Sequence, residues 1–391
     1  MTDASKLIGN WNYPTRVRFG VGRIKELASA CRSLGITRPL LVTDPGLAKL
    51  PMVADAVAAN AREKLPTAVF SAIKPNPVGR NVEDGLKAYR AGGHDGVIAF
   101  GGGSAMDAGK TIALMAGQKL PLWDFEDVGD NWQRADPRGI APIVAVPTTS
   151  GTGSEVGRAS VVIDEATHTK KILFHPKMQP GLVICDPGLV VGLPPKITAA
   201  TGMDALAHCL EAYSVDAYHP MADGIAVEGM RLIHDWLPEA VANGGNLQAR
   251  AHMMAAAAMG ATAFQKGLGA IHSLSHPVGA LYDTHHGLTN AVFMPYVLVF
   301  NRPAIAERMT RLARYIGLKK PSFQAVLDWT LALREKFGMP HTAAELGVGP
   351  DRLDDISRMA ENDPTAPGNP VPAKAAEMRR ILDAAMTGRL A

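Results

Sequence analysis

The chain has 391 residues, of which 47% are hydrophobic and 20% charged, and its formal net charge at pH 7 is +3. This length exceeds what one hydrophobic core usually supports, so we expect two domains. The balanced charge and the lack of a cluster of basic residues argue against nucleic acid or a membrane as a partner.

The cysteines and the apolar segments bear on the compartment of the protein. Cys31, Cys185 and Cys209 are odd in number and form no CxxC pair, which argues against a disulfide framework and a thiolate zinc site. The N-terminus has no apolar signal region, and the longest nearly apolar run, residues 251–264, is too short to span a bilayer. We therefore expect a soluble, cytoplasmic protein.

Through about residue 190, short β-branched segments alternate with amphipathic segments. The predicted strands are residues 38–44, 67–73, 95–103, 141–149 and 180–186. Their apolar, non-alternating character is typical of parallel strands that are covered on both faces. Residues 160–175 look like an added hairpin. Residues 1–190 are thus predicted to form an α/β domain with a mostly parallel, Rossmann-like sheet.

The composition changes at residues 190–202, where Pro194 and Pro195 can seat the N-terminus of a helix. The only later segment that resembles a strand is residues 291–300, which is ambiguous. Helical patterns cover residues 197–213, 220–240, 247–266, 302–316, 322–337, 351–361 and 372–388. Residues 191–391 are therefore predicted to form an all-helical domain.

Two loops rich in glycine and hydroxyl groups follow predicted strands, at residues 101–111 and 146–157. A P-loop would require glycine where Ser104 stands, and the Rossmann fingerprint would require glycine where Met106 stands. One such loop alone is equally typical of a tight strand-to-helix turn. Two of them at the carboxyl ends of parallel strands indicate a nucleotide site. Asp44, which ends a strand, is predicted to bind the ribose hydroxyls and to favour NAD over NADP.

An acid and a histidine, Asp204 and His208, lie four positions apart and share one helical face. Four more histidines lie within fifteen residues: His272, His276, His285 and His286. Either group alone is more often a local polar pair than a ligand set. Together, beside a nucleotide-binding half, their oxygen and imidazole donors indicate a divalent cation such as Fe(II) or Zn(II).

Four sequence segments carry a resemblance to a known family. They are GGGSxxDxxK at Gly101 to Lys110, PTTxGTGSE at Pro147 to Glu155, ATGMDALAHxxEAY at Ala200 to Tyr213, and GLGAxHxxxHPxGAxYxxxHG at Gly267 to Gly287. In these segments the chain resembles the iron-containing, group III alcohol dehydrogenases of the dehydroquinate synthase-like superfamily. The resemblance implies an N-terminal NAD-binding domain, a helical metal-binding and catalytic domain, and a metal in the cleft between them.

The resemblance also implies roles for individual residues. The metal ligands would be Asp204, His208, His272 and His286, with His285 a neighbour of the ligands. His276 would be a non-ligand catalytic histidine that helps to transfer a proton. The implied cofactor-binding residues are Asp44, Asn76, Gly102, Gly103, Ser104, Asp107, Thr148, Thr149, Thr152 and Lys170. Ala159 departs from the polar residue of some relatives, so no cofactor contact is expected there.

These features predict a metal-dependent, NAD-linked alcohol dehydrogenase or aldehyde reductase that acts on a small alcohol or hydroxy-aldehyde. An alcohol oxygen on the cation would become acidic, and the resulting alkoxide would transfer hydride to the nicotinamide. Fe(II) is the expected metal, with Zn(II) or another divalent cation as the alternative. The resemblance further implies a homo-oligomer, a dimer or larger.

Other functions remain open on sequence grounds. A maleylacetate reductase, or another hydroxy-acid or diol dehydrogenase of the same superfamily, would share the fold and the site. A glycerol dehydrogenase is less consistent with the chain, because that enzyme generally offers three protein ligands and four are present here. More remote alternatives are a metal-dependent hydrolase of a phosphate substrate and a nucleotide sensor.

Overall fold

The computed structural model describes residues 15–390, which divide into two compact units. One unit comprises residues 15–193 and 245–254, and the other comprises residues 194–244 and 255–390. The domain boundary at residue 190 stays a prediction. No helix among the described residues combines the length and apolar character needed to cross a membrane.

The first unit is built on a sheet of six parallel strands. In chain order its elements are β1 (Arg16–Phe19), α1 (Leu27–Ser33), β2 (Pro39–Val42), α2 (Pro51–Arg62), β3 (Ala68–Phe70), α3 (Gly79–Ala91), β4 (Gly96–Gly101), α4 (Gly103–Met115), β5 (Ile143–Pro147), β6 (Ala159–Asp164), β7 (Thr169–Phe174) and β8 (Leu182–Cys185). The order of the strands in the sheet is β1-β8-β5-β4-β2-β3. Strands β6 and β7 form an antiparallel hairpin outside the main sheet. The fold class and all five predicted strands are confirmed.

The register of the sheet explains why its strands are apolar throughout. Leu41 of β2 pairs with Ile98 of β4, which in turn pairs with Val144 of β5. All residues of these three strands are buried, because neighbouring strands flank each one and both faces are covered. Ile98 and Val144 belong to one core cluster with Leu27 of α1 and Val53 of α2.

The sequence analysis predicts neither helix α1 nor strand β1 of this unit. Strand β1 has four residues, RVRF, three of them exposed, and among the described residues it pairs with β8 alone. An edge strand has no second partner and little burial, so it lacks the continuous apolar run that marks the central strands.

The second unit is all-helical over its described residues, as predicted. The remaining helices in chain order are α5 (Pro195–Ser214), α6 (Pro220–Ala242), α7 (Leu247–Ala263), α8 (Ala270–Tyr282), α9 (His286–Tyr315), α10 (Phe323–Lys336), α11 (Leu353–Glu361) and α12 (Ala375–Thr387). The first part of α7, through residue 254, belongs to the first unit. Pro194 is the N-cap of α5 and Pro195 its first residue, which confirms the predicted helix start.

Two helices differ from the sequence-based prediction. Helix α8 is not predicted, and α9 begins at residue 286, far before the predicted start at residue 302. The ambiguous run at 291–300 is therefore helical, and α9 also continues through Pro295 and Pro303. Residues 289–298 are all buried, so packing stabilises a helix whose internal prolines each remove a backbone hydrogen bond.

Candidate metal centre and cofactor loops

Helix α5 supplies the first two donors of the candidate metal centre. Asp204 and His208 lie one turn apart, and the distance from His208 Nε2 to Asp204 Oδ1 is 3.9 Å. Their residues are only 2% and 5% exposed. A buried carboxylate is costly unless a cation or several hydrogen bonds compensate for its lost hydration.

Helices α8 and α9 bring two further imidazoles to this carboxylate. The ring of His272 stacks on that of His208 with centroids 4.8 Å apart, and His286 Nε2 lies 3.6 Å from Asp204 Oδ1. One donor atom from each of the four residues lies within 4.8 Å of the others. Donor atoms this close to one another could bind a single divalent cation.

Gly287 allows α9 to begin directly against α5. A Cβ atom added at this position would overlap the carbonyl oxygen of Ala200 and would lie 3.0 Å from Asp204 Cβ. A glycine is required here because the backbone of α5 occupies the space of any side chain. The close approach of the two helices places His286, the residue before Gly287, within reach of Asp204.

Asn290, one turn after His286 on α9, contacts three of the four residues. Its Nδ2 lies 2.8 Å from Asp204 Oδ1 and 3.2 Å from Nε2 of both His272 and His286. Its Oδ1 is buried and has no hydrogen-bond partner among the described residues. An amide NH₂ group donates at most two hydrogen bonds, so an Nε2 atom that receives one of them must be an acceptor. A carboxylate oxygen and two imidazole nitrogens that converge on one point are an arrangement that fits a bound divalent cation.

Glu211 on α5 orients one of these imidazoles, and the sequence analysis does not identify it. Glu211 Oε2 lies 2.5 Å from Nδ1 of His272, and Oε1 accepts a hydrogen bond from the Ile271 amide at 2.7 Å. Burial lowers the pKa of His272, but the charge and hydrogen bond of Glu211 outweigh it and leave this pKa raised. The spacing HxxE from His208 is the signal that could have identified Glu211.

We expect Glu211→Gln to weaken metal binding by about 10–100-fold, because the carboxylate partner of a ligating histidine fixes its tautomer and raises its basicity. Competition with a chelator of known affinity measures the dissociation constant. Glu307→Gln is the matched control, since Glu307 is exposed on α9. Equal affinities of Glu211→Gln and wild type would contradict the role of this carboxylate.

His276 and His285 lie outside the four-donor group. His276 is buried one turn after His272 on α8, and its ring stacks on that of His286 with centroids 5.6 Å apart. His285 is the N-cap residue of α9, and burial lowers its pKa.

The two glycine-rich loops of the first unit lie against each other. A Cβ added at Gly103 would lie 2.6 Å from Thr152 Cγ2, and one at Gly102 would lie 3.1 Å from Thr149 Cγ2. The Thr148 amide donates a hydrogen bond to the Gly101 carbonyl at 2.9 Å. Helix α4 begins at Gly103, directly after β4, so its first backbone amides lie at the carboxyl ends of the strands. Backbone amides at a helix N-terminus beside hydroxyl side chains are groups that can bind a phosphate.

The other predicted cofactor residues lie on neighbouring segments of the same unit. The Ser104 hydroxyl donates to the carbonyl of Pro75, beside Asn76. Asp44 Oδ1 accepts hydrogen bonds from the amides of Gly46 and Leu47, both at 2.9 Å.

Lys170 is connected to this region through the hairpin. Lys170 on β7 pairs with Ile163 on β6, whose amide donates to the Pro77 carbonyl at 2.8 Å. The segment that contains Pro77 also contains Asn76, so hairpin and loop are held side by side.

Asp107 is another predicted cofactor residue, and both oxygens of its carboxylate accept hydrogen bonds from within the protein. Its Oδ1 accepts from Ser154 Oγ at 2.6 Å, and its Oδ2 accepts from the Val161 amide at 3.0 Å. The buried Lys110 lies 3.3 Å from Oδ1. This geometry favours a role for Asp107 in holding the second loop and the hairpin against α4. Burial raises the pKa of the neighbouring Glu155 to about 7.

Comparison with known proteins identifies the family. The sequence-family model of the iron-containing alcohol dehydrogenases matches residues 14–187. The family model of the C-terminal part of Fe-containing alcohol dehydrogenases matches residues 198–386. The chain is 40% identical over 387 residues to a 4-hydroxybutyrate dehydrogenase of Cupriavidus necator, covering 96% of this chain and 99% of the relative.

Two further relatives agree with that match. An NAD-dependent methanol dehydrogenase of Bacillus methanolicus is 34% identical, covering 96% of this chain and 100% of the relative. A crystal structure of a 1,3-propanediol oxidoreductase superposes with a TM-score of 0.92 at 34% identity, covering 97% of this chain and 100% of that one. The resemblance seen in the sequence is thus confirmed. The chain belongs to the iron-containing alcohol dehydrogenase family and is an NAD-dependent oxidoreductase that acts on alcohols with a divalent metal.

Proposed function

We propose that Asp204, His208, His272 and His286 bind the divalent cation. The observation that carries this proposal is the convergence of their four donor atoms within 4.8 Å. When bound, the cation supplies Lewis acidity, which makes an alcohol hydroxyl more acidic and polarises an aldehyde carbonyl, while NAD exchanges the hydride. Asp204 provides the negative charge of the site, and the three imidazoles provide neutral nitrogen donors.

We further propose a function for the residues around the ligands. Glu211 keeps the proton of His272 on Nδ1, so that Nε2 points to the other donors as an acceptor. Asn290 donates to the carboxylate of Asp204 and so fixes the direction of its oxygens. His276 takes up the proton that leaves the substrate hydroxyl.

The proposed NAD-binding surface is formed by the loops after β2, β3, β4 and β5 and by the hairpin. Its residues are Asp44, Asn76, Gly102, Gly103, Ser104, Thr148, Thr149, Thr152 and Lys170. The direct contacts between the loops after β4 and β5 support this assignment, because they bring the backbone amides and hydroxyls of both loops together at the carboxyl ends of the strands. The carboxylate of Asp44 would repel a 2′-phosphate, which favours NAD over NADP.

We propose a primary alcohol as the substrate, with 4-hydroxybutyrate as the first candidate. The three relatives described above are named for 4-hydroxybutyrate, methanol and 1,3-propanediol. These compounds differ in charge and length, but in each of them the hydroxyl is on a carbon that is bonded to at most one other carbon. The relative named for 4-hydroxybutyrate has the highest identity of the three, at 40%.

The test is a substrate panel with the enzyme purified under nitrogen and reloaded with Fe(II). NADH formation is followed with 4-hydroxybutyrate, 1,3-propanediol, methanol and the matched pair of 1-butanol and 2-butanol. We expect kcat/KM for 1-butanol to exceed that for 2-butanol by at least about tenfold. Equal or faster oxidation of the secondary alcohol would contradict the primary-alcohol proposal, and no turnover with any alcohol would contradict the dehydrogenase site.

We also propose a homo-oligomer, a dimer or larger, in the cytoplasm. The edge strand β1 leaves Val17 and Phe19 about two-fifths exposed, at 40% and 41%, and Val21 lies beside it at 59%. Among the described residues β1 pairs only with β8, and a sheet edge with exposed apolar side chains favours association with another chain. The three cysteines are buried free thiols, which agrees with a reducing compartment. Light scattering on the purified protein measures the oligomeric state.

A further inference from the structure

A second buried carboxylate contacts a histidine of α8, and it comes from a distant part of the chain. Asp363 follows the C-terminus of α11, and its Oδ2 lies 2.7 Å from Nδ1 of His276. The two side chains are 7% and 9% exposed. This contact joins residues 87 positions apart, and neither residue belongs to the four-donor group.

Asp363 is itself held in place on its other oxygen. Its Oδ1 accepts hydrogen bonds from the amide of Thr365 at 2.9 Å and from the Thr365 hydroxyl at 2.5 Å. The Thr365 hydroxyl also lies 2.9 Å from that of Ser273 on α8. The carboxylate is therefore fixed against the same helix that carries His276, with both oxygens used.

These contacts keep Asp363 ionised despite its burial. Burial raises its pKa, but the charge and hydrogen bond of His276 and the two hydrogen bonds from Thr365 outweigh this effect and leave the pKa below its ordinary value. An ionised carboxylate only accepts hydrogen bonds, so the proton of His276 lies on Nδ1. In the neutral form of an imidazole with its proton on Nδ1, the lone pair is on Nε2.

The orientation of His276 is fixed on its other sides by the candidate ligands. Its ring is nearly parallel to that of His286 on α9, with an interplanar angle of 16°, and it meets that of His272 on its own helix at 69°. The titratable groups in contact with it among the described residues thus include the imidazoles of His272 and His286 and the carboxylate of Asp363.

We propose that Asp363 is a positioning residue for proton transfer by His276. Asp363 holds His276 in the tautomer whose Nε2 is free to accept a proton, just as Glu211 holds the ligand His272. In alcohol oxidation the O–H bond breaks and its proton forms an N–H bond at Nε2. The C–H bond gives its electron pair and hydrogen to NAD as hydride, so the products are aldehyde, NADH and a protonated His276 that later releases its proton to water.

This inference rests on the proposed role of His276. A double-mutant cycle distinguishes a failure of the role of Asp363 from a failure of the role of His276. We expect His276→Ala to lower kcat by about 10²-fold or more, the range of general acid–base catalysis. We expect Asp363→Ala to lower kcat by at least about tenfold, and by no more than His276→Ala does. Because Asp363 acts through His276, adding Asp363→Ala to His276→Ala is expected to cause no further loss in kcat.

Each result has a distinct meaning. Wild-type kcat in His276→Ala would show that the proposed relay is wrong. A large loss in His276→Ala with wild-type kcat in Asp363→Ala would overturn the role of Asp363 alone. Losses that multiply in the double variant would assign Asp363 a purely structural role and overturn the inference. Asp363→Asn, which keeps the side-chain shape, serves in the same cycle if Asp363→Ala fails to fold, with the same expected outcomes.

A spectroscopic measurement tests the tautomer without relying on activity. In Zn(II)-loaded protein labelled with nitrogen isotope in the histidine rings, NMR distinguishes a ring protonated on Nδ1 from one protonated on Nε2, and His276→Ala identifies the signal of that ring. We expect the Nδ1-protonated form in wild type and a mixture of both forms in Asp363→Ala. Asp328→Asn, at an exposed carboxylate on α10, is the control for both measurements. An unchanged tautomer in Asp363→Ala would contradict the proposal.

Discussion

Replacement of His208 by alanine is expected to remove the metal and turnover while NAD binding survives. The substitution deletes one of four donors that lie within 4.8 Å of one another, and His208 is only 5% exposed, so water cannot easily replace it. Altering an outer partner of a ligand costs about 10–100-fold in affinity or activity, and loss of a ligand itself is expected to exceed that range. All proposed NAD contacts lie in residues 44–170, in the other unit.

Elemental analysis gives the metal content per chain, and titration calorimetry gives the dissociation constant of NAD. His341→Ala is the control, because His341 is an exposed histidine of the same unit. A full metal content in His208→Ala would remove this residue from the ligand set. Parallel loss of NAD binding would mean that the whole chain is misfolded.

Replacement of Gly287 by alanine is expected to lower both stability and metal content, although alanine favours a helix by about 1 kcal/mol over glycine. The added methyl group would overlap the Ala200 carbonyl and press on Asp204 Cβ, which lies 3.0 Å away. Overpacking of this kind costs about 1–3 kcal/mol. Separation of α9 from α5 would also move His286 away from the carboxylate.

The matched control is Gly224→Ala on α6, where an added Cβ would meet no atom within 4 Å. This variant is expected to gain about 0.5–1 kcal/mol of unfolding free energy. Denaturant unfolding of both variants gives the comparison, together with their metal content. If Gly287→Ala were as stable as Gly224→Ala and kept its metal, close approach of α9 to α5 would not be the reason for glycine at this position.

The central strands could be predicted from the sequence because burial on both faces produces continuous apolar runs, as in GVIAFG of β4. Strand β1 could not, since three of its four residues are exposed and it lacks an apolar run. Helix α9 was predicted too short because its first half, around Pro295, is buried on nearly all sides and shows no polar face. Periodicity identifies a helix only where one face meets water.

The candidate site likewise contains some residues that the sequence identifies and others that only the structure reveals. Asp204 and His208 are visible as a pair because one helical turn separates them. The partners Glu211, Asn290 and Asp363 are not visible in this way, since their contacts join residues 61, 86 and 87 positions apart. Only the packing of α5, α8, α9 and the segment after α11 brings these groups together. Asp107 lies in the GGGSxxDxxK segment, but its hydrogen bonds, which no sequence motif reports, indicate an internal role.

The distribution of the candidate ligands between the two units has a thermodynamic consequence. Asp204, His208, His272 and His286 all belong to the helical unit, whereas the proposed NAD contacts all belong to the α/β unit. A ligand that binds only folded protein stabilises the part that forms its site, by an amount that grows with ligand concentration over its dissociation constant. From the proposed sites we expect the metal to stabilise mainly the helical unit and NAD to stabilise mainly the α/β unit against unfolding.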